Sequence, residues 1–376
     1  MIYLDNAATT PVHPDVLQAL VPYFVKNYGN PSGIYDIART NKEAIEKARK
    51  IIADSLNASP EEIYFTSGGT EADNWAITGI IQKNKNKKHI ITSKIEHHAI
   101  LNTCIHLEKL GYPVSYINVN QNGIVDIDEL KNAIRPDTAL ISIMSANNET
   151  GVLQPVEEIG NIAKERGICF HTDAVQAYMH QQIDVKKSHI DMLSASAHKF
   201  NAPKGTGFLY IRNGIDLEPF MHGGKQEAGQ RAGTENVAGI VGMGKAVEIA
   251  NRNQKKDTVY VRNMRDYLLY LLENEFPGIK LNGDRHKRLP GNININFPMH
   301  IDSSLPVLLD MEGVCVSGGS ACTTGNTTGS HVLLAMGLDK QKASSALRIT
   351  IGPQNTMEEM DMTFDKIKKC ISILSY

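Results

Sequence analysis

The chain has little of several things, and each shortage excludes a class. No apolar run approaches the ~20 residues that a membrane-spanning helix needs, so no membrane partner is expected. The opening MIYLDNAATTP has neither a basic start nor a long apolar stretch, which predicts no secretory leader. Cysteines number five (Cys104, Cys169, Cys315, Cys322 and Cys370) and form no C-x-x-C pair. So few, and odd in number, they predict a reducing, cytoplasmic setting and neither a disulfide framework nor a metal site. Charge of one sign is also missing: 39 basic side chains nearly cancel 41 acidic ones, giving −2. Nothing in that balance grips nucleic acid or an anionic membrane.

What is present is ordinary globular material. The 376 residues are 41% hydrophobic and 21% charged, enough for two domains or one large domain with a satellite. From about Glu62 to Ser196 short apolar runs alternate with helically spaced segments. Strands are expected at Glu62–Ser67, His89–Thr92, Val114–Val119, Thr138–Ser145, Ile168–Asp173 and Met192–Ser196. Because these runs are near-continuous rather than alternating, the sheet they form is covered on both faces and mostly parallel. After about Gly233 the pattern changes. One long helix is expected over Glu235–Glu275, followed by short strands at Asn292–Phe297, Val314–Ser317 and Arg348–Ile351 and helices at Ser304–Asp310 and Met357–Ile373. That is the pattern of a smaller α+β domain.

Six segments carry residues that chemistry uses. Thr66-Ser67-Gly68-Gly69-Thr70-Glu71 lies where a strand gives way to a helix. Two glycines, a hydroxyl and a helix N-terminus there suit either a phosphate cradle or a plain N-cap turn. Ser194-Ala195-Ser196-Ala197-His198-Lys199 sets a lysine among small residues that leave room for a bulky adduct. Lysine amines condense with aldehydes, although most lysines simply face water. Asp173 closes an apolar strand, a costly place for a carboxylate unless it meets a cation such as a pyridinium nitrogen or caps the next turn. Glu96-His97-His98 begins a helix, where an imidazole can stack on a flat ring or move a proton. Asn147-Asn148-Glu149 ends a strand at the same sheet edge, where α/β sheets bind their ligands. Finally, Ser317–Ser330 is a 14-residue stretch with four glycines and one cysteine, Cys322. A cysteine in such a loop fits a reactive thiol better than a buried apolar residue.

In order and spacing these residues resemble the cysteine desulfurases, pyridoxal-phosphate enzymes of fold-type I in the class V aminotransferase family. The resemblance runs nearly end to end, through Tyr3–Thr10, Gly29-Asn30-Pro31-Ser32, Thr66–Asn74, Glu96-His97, Asn147–Glu149, His171–Gln176, Ser196–Lys199, Gly223–Glu227, Arg231–Thr234, Ser320-Ala321-Cys322 and Arg348. The long cysteine loop is similar to that of the subclass serving iron–sulfur assembly. The resemblance implies an α/β fold with a large domain built on a mostly parallel seven-stranded sheet flanked by helices, plus a smaller α+β domain. The expected boundaries are 16–255 for the large domain, and 1–15 with 256–376 for the small one that carries the cysteine loop 317–330.

The resemblance also implies roles. Lys199 would hold pyridoxal 5'-phosphate covalently and shuttle protons, and Asp173 would pair with the ring nitrogen. Gln176 and Asn148 would contact the ring hydroxyl, and His97 would stack on the ring. Gly69, Thr70, Ser196 and His198 would bind the phosphate, with Thr234 reaching in from the second subunit of a homodimer. Arg348, helped by Asn30, would clamp the carboxylate of substrate L-cysteine. Cys322 would take its sulfur as a persulfide, leaving L-alanine, and pass it to an acceptor such as an iron–sulfur scaffold or a tRNA-thiolation protein. A selenocysteine lyase, or another aminotransferase-like enzyme, is the alternative on the same scaffold. Three positions depart from the family pattern: Tyr35 where histidine is frequent, Pro353 where a second arginine is common, and Thr328-Gly329 in place of Glu-Pro.

Overall fold

The computed structural model describes residues 1–84, 86–299, 301, 304–318 and 329–374. Cys322, with the rest of 319–328, lies outside the described residues. In chain order the strands are β1 (Ile2–Tyr3), β2 (Ile63–Thr66), β3 (His89–Ser93), β4 (Val114–Ile117), β5 (Thr138–Ser142), β6 (Cys169–Asp173), β7 (Met192–Ser196) and β8 (Gly207–Ile211). They continue with β9 (Lys280–Leu281), β10 (Asn292–Asn296), β11 (Val314–Cys315), β12 (Ser317–Gly318) and β13 (Leu347–Thr350).

The main sheet has seven strands in the order β2-β8-β7-β6-β5-β3-β4. Only β8 runs antiparallel to its neighbours; the pairs from β7 to β4 are parallel. Every residue of β3, β5, β7 and β8 is buried, which is why these strands lack the alternation of a half-wet sheet. One face is covered by a cluster containing Ile45, Ile52, Ile141, Phe170 and Phe208. The other is covered largely by the Gly69–Lys83 helix, through Trp75, Ile77 and Ile81. Among the described residues no helix is long and apolar enough to cross a membrane.

A second body has a four-stranded antiparallel sheet, β12-β13-β10-β9, and the parallel pair β1-β11. The Val237–Glu275 helix serves both bodies. Its first half gives Ile240, Met243 and Val247 to the large core, and its second half gives Met264, Leu268 and Leu272 to the small one. The fold is therefore α/β with a mostly parallel seven-stranded sheet and a smaller α+β part.

The structure differs from the sequence expectation in places. The single strand expected at Val314–Ser317 is two: Val314–Cys315 pairs with β1, and Ser317–Gly318 pairs with β13. The chain changes partners at Val316, so a continuous run of small and apolar residues serves two sheets. The Asp36–Leu56 helix and strand β8 are additional elements. Strand β8 follows directly on Pro203-Lys204-Gly205-Thr206, whose turn residues mask the start of an apolar run.

Candidate active site

The ends of β2, β6 and β7 and the start of β8 converge. Thr66 and Ser196 both lie opposite Gly207, and Asp173 lies opposite Ser194. A parallel sheet thus delivers residues distant in sequence to one edge, outside its strand carboxyl ends.

Asp173 ends β6 and is 5% exposed. Its Oδ1 accepts the Val175 N–H at 2.8 Å, so it does cap the following turn. Burial raises its pKa to about 6, against the opposing pull of the Val175 hydrogen bond and the Lys199 charge. Lys199 follows β7 in a single helical turn, Ala197–Lys199. Its Nζ donates to the carbonyls of Ala7 at 2.5 Å and Ala8 at 2.8 Å. Gln176 Nε2 donates to the same Ala7 oxygen at 2.9 Å. The backbone carbonyl of Lys199 accepts from His180 Nε2 at 3.0 Å. The lysine is therefore held at both ends, by the N-terminal segment and by the turn after β6.

The Thr66–Glu71 segment forms the turn between β2 and the Gly69–Lys83 helix. Gly68 has φ +154°, outside the range open to other residues, and a Cβ on Gly69 would stand 2.5 Å from Val175 Cγ2. Both glycines are required for the turn to pass close to Ser196 and the chain after Asp173. Ser196 is buried, while Thr70 at the helix start is exposed. Glu71 accepts from the Ser67 N–H and pairs with Arg231, at 2.8 and 3.2 Å, which ties this turn to the 226–234 segment. Half-buried His198 has Nδ1 3.1 Å from Thr9 Oγ1, and burial followed by the Lys199 charge lowers its pKa to about 4.

His97 is the N-cap of the His98–Lys109 helix. Its Nδ1 accepts the Ala99 N–H at 3.1 Å, which leaves the ring proton on Nε2. Burial, then the charge of Lys199, lowers its pKa to about 4, so the ring is neutral near pH 7. Glu96 beside it is fully enclosed. It accepts from Ser93 Oγ and the Met144 N–H, and burial raises its pKa to about 8.

Asn147 is structural: its Oδ1 accepts the N–H groups of Glu149 and Thr150, both at 2.9 Å. Asn148 keeps its side-chain oxygen buried without a partner among the described residues. Arg348 on β13 reaches this turn, donating from Nη1 to the Asn148 carbonyl at 3.0 Å. Its Nη2 donates to Asp5 at 2.8 Å and to Ser317 Oγ at 3.1 Å, whereas its buried Nε has no partner among the described residues.

The structure thus brings together Asp173, Gln176, Ser196, His198, Lys199, His97 and Gly69, with Asn148 and Arg348 joined at one side. Asn30 and Thr234 are exposed and form no hydrogen bond to the other candidates among the described residues; Asn30 instead accepts the Ser32 N–H at 2.9 Å. Cys322 lies outside the described residues. Residue patterns did not reveal the Ala7 carbonyl, Asp5 and Ser317 around Arg348, or Asp73. That last carboxyl is buried in the Gly69–Lys83 helix, 3.7 Å from His171 Nε2. Its position inside an apolar stretch (Ala72, Trp75, Ala76) was the available signal.

Comparison with known proteins matches the chain along nearly its whole length. The aminotransferase class-V family model matches residues 2–362. A cysteine desulfurase IscS of Methanosarcina thermophila is 51% identical over 374 residues, covering 99% of this chain and 92% of that one. A cysteine desulfurase IscS of Clostridium botulinum is 48% identical, covering 98% and 94%. Among solved structures, a NifS-like protein superposes with TM-score 0.93 at 38% identity, covering 99% and 100%. One described as SspA in complex with cysteine superposes with TM-score 0.83 at 39% identity, covering 95% and 100%. The chain belongs to the class-V aminotransferase family and, within it, to the cysteine desulfurases.

Proposed function

We propose that this chain is a pyridoxal-phosphate-dependent cysteine desulfurase that removes sulfur from L-cysteine, leaving L-alanine, and carries it on Cys322 to an acceptor. The observation that carries this reading is the meeting of a lysine amine and a buried carboxylate at the ends of adjacent parallel strands, beside a glycine turn open to a phosphate. The residues fit the cofactor. Asp173 is a buried carboxylate close to the Lys199 charge, Asn148 Oδ1 is a buried acceptor without a partner among the described residues, and no side chain hydrogen-bonds to cap the N-terminus of the Gly69–Lys83 helix.

When bound, pyridoxal phosphate supplies an electron sink that labilises bonds next to the amino group of its substrate. Lys199 would hold it, and Asp173 would keep its ring nitrogen protonated. Gln176 and Asn148 would orient the ring, and His97 would lie against it. Gly69, Thr70, Ser196 and His198 would take the phosphate. Thr234, exposed in one chain, would serve the site of a second copy in a homodimer.

The chain's own groups divide the remaining work. The Ala7 and Ala8 carbonyls orient the Lys199 amine and accept its protons' hydrogen bonds. His97, neutral with its proton on Nε2, offers an N–H rather than a positive charge. Arg348 binds the substrate carboxylate, with Nε as the donor still unpaired and Asp5 and Ser317 steadying the guanidinium; Asn30 assists. The sulfur balance is complete without an added oxidant. The Cys322 thiol takes the sulfur atom to become a persulfide, the carbon it leaves gains hydrogen, and cysteine becomes alanine.

The other four cysteines do not suit this step. All are free thiols, and burial is the leading cause raising the pKa of each, to about 12 for Cys104. We further infer that residues 16–255 form the cofactor-bearing domain and that 1–15 with 256–376 form the one carrying loop 317–330. The acceptor is an iron–sulfur scaffold or a tRNA-thiolation protein, and the setting is cytoplasmic. The test is incubation with 35S-cysteine. Label should appear on Cys322 together with one alanine per sulfur, and Cys322→Ser should abolish both. Full alanine release by Cys322→Ser would reject the reading.

A further inference from the structure

Between the two bodies lies a cavity of about 420 Å3, large enough for a small organic molecule. It abuts the proposed active site, sharing Ala7 and Gln176 with it, but Asp173, His97, Ser196 and Arg348 do not line it. Met179, Phe200 and Leu289 line it from the large body's core, Ala250 and Val261 from the Val237–Glu275 helix, and Ile351 from the small body.

Amides and two histidines, His13 and His180, make up most of its polar lining, and its fixed charge is of one sign. No lysine or arginine lines the cavity, and Asp257 is its one carboxylate. Asp257 has no hydrogen bond or ion pair among the described residues; Lys256 acts on it only through its charge. Burial raises its pKa, the mark of a carboxylate short of a counter-ion. His180, also in the wall, is kept neutral by burial and spends its Nε2 proton on the Lys199 carbonyl.

We propose that this cavity is a second binding site, taking a small apolar amine whose hydrocarbon body packs on Met179, Phe200 and Leu289 and whose ammonium group pairs with Asp257. An anion of the same shape meets that carboxylate and no lysine or arginine, and binds more weakly. The site adjoins the catalytic lysine at two points. Ala7 lines the cavity and receives the Lys199 amine, and His180 lines it and holds the Lys199 carbonyl. An occupant therefore presses on the segment that orients Lys199; this consequence rests on the proposed role of that lysine, whereas binding does not.

The test is calorimetry on the cofactor-loaded protein. The probe is N,N-dimethylphenethylamine, a tertiary amine that cannot condense with an aldehyde and so does not compete at Lys199. One equivalent should bind per chain, with 3-phenylpropionate at least about tenfold weaker. Asp257→Asn should weaken the amine by about tenfold or more, and Ala250→Phe should remove binding by filling the cavity. Equal binding of amine and acid, unchanged affinity in Asp257→Asn, or no amine binding at millimolar concentration would overturn the proposal. Asp257→Asn changes one partly exposed helical side chain by a single atom, so its affinity for the amine decides the matter even if Ala250→Phe fails to fold.

Discussion

The side-chain amine of Lys199 donates to the carbonyl oxygen of Ala7 at 2.5 Å, across 192 positions of sequence. That one contact joins the turn after β7 to the N-terminal segment, which itself is anchored on β13 through Thr350 Oγ1, 2.9 Å from the Ala7 N–H. The lysine is thus aimed by residues of both bodies.

Replacing Lys199 by alanine should remove covalent attachment of the cofactor. Borohydride reduction followed by peptide mapping should mark position 199 in the wild type and nothing in Lys199→Ala. Activity should fall by roughly 10²–10⁴-fold, as expected when a positioned proton carrier is lost.

The carboxyl of Asp173 has a pKa of about 6 in the chain, so it is mostly ionised at neutral pH and protonated below that value. A cation beside it favours the ionised form. Cofactor affinity should therefore fall as pH drops through about 6. Asp173→Asn should show weak affinity with that pH dependence removed. Equilibrium titration followed by cofactor absorbance checks both.

Glu96 is an acid whose pKa rises from 4.5 to about 8 on folding. The native state then holds a proton that the unfolded chain gives up between those values, so stability contributed by this site declines as pH rises through that window and is level above it. Glu96→Gln mimics the protonated form. Its melting temperature, compared with wild type, should gain progressively between about pH 5 and pH 8. A constant difference across that range would contradict the assignment.

Arg231 joins the Thr66–Glu71 turn to the segment bearing Thr234, through its paired contacts with Glu71. Both side chains are largely buried, at 18% and 10% exposed. Arg231→Ala should loosen the cradle and raise the cofactor dissociation constant by about tenfold, equivalent to the ~1–2 kcal/mol of a charged hydrogen bond. Turnover at saturating cofactor should change little.

Arg348→Ala removes the proposed carboxylate grip. The KM for cysteine should rise by roughly 30-fold, or about 2 kcal/mol, with cofactor absorbance unchanged. The variant also leaves Asp5 without its cation, so a thermal melt should accompany the kinetics.

Much of this was legible in residue order. The strands ending in Asp173 and Ser196 announce themselves as buried apolar runs, and the class of fold follows from their alternation with helices. Lys199, Asp173 and the Gly68–Gly69 turn stand out because each breaks the local pattern, placing charge or flexibility where a core is being built. Arg348 could be singled out by resemblance, but its partners Asp5 and Ser317 could not. They lie 343 and 31 positions away, Asp5 in the N-terminal segment and Ser317 on the neighbouring strand β12.

Local patterning encodes which face of each element is apolar, and through it the seven-stranded sheet and the positions of its strand ends. That much is written in residue order alone. Which of those ends meet, which carbonyl aims the lysine, and where an unpaired carboxylate such as Asp257 faces a cavity depend on how the two bodies close on each other. Contacts between residues hundreds of positions apart are set by the packing of whole elements, and no periodicity within either partner records them.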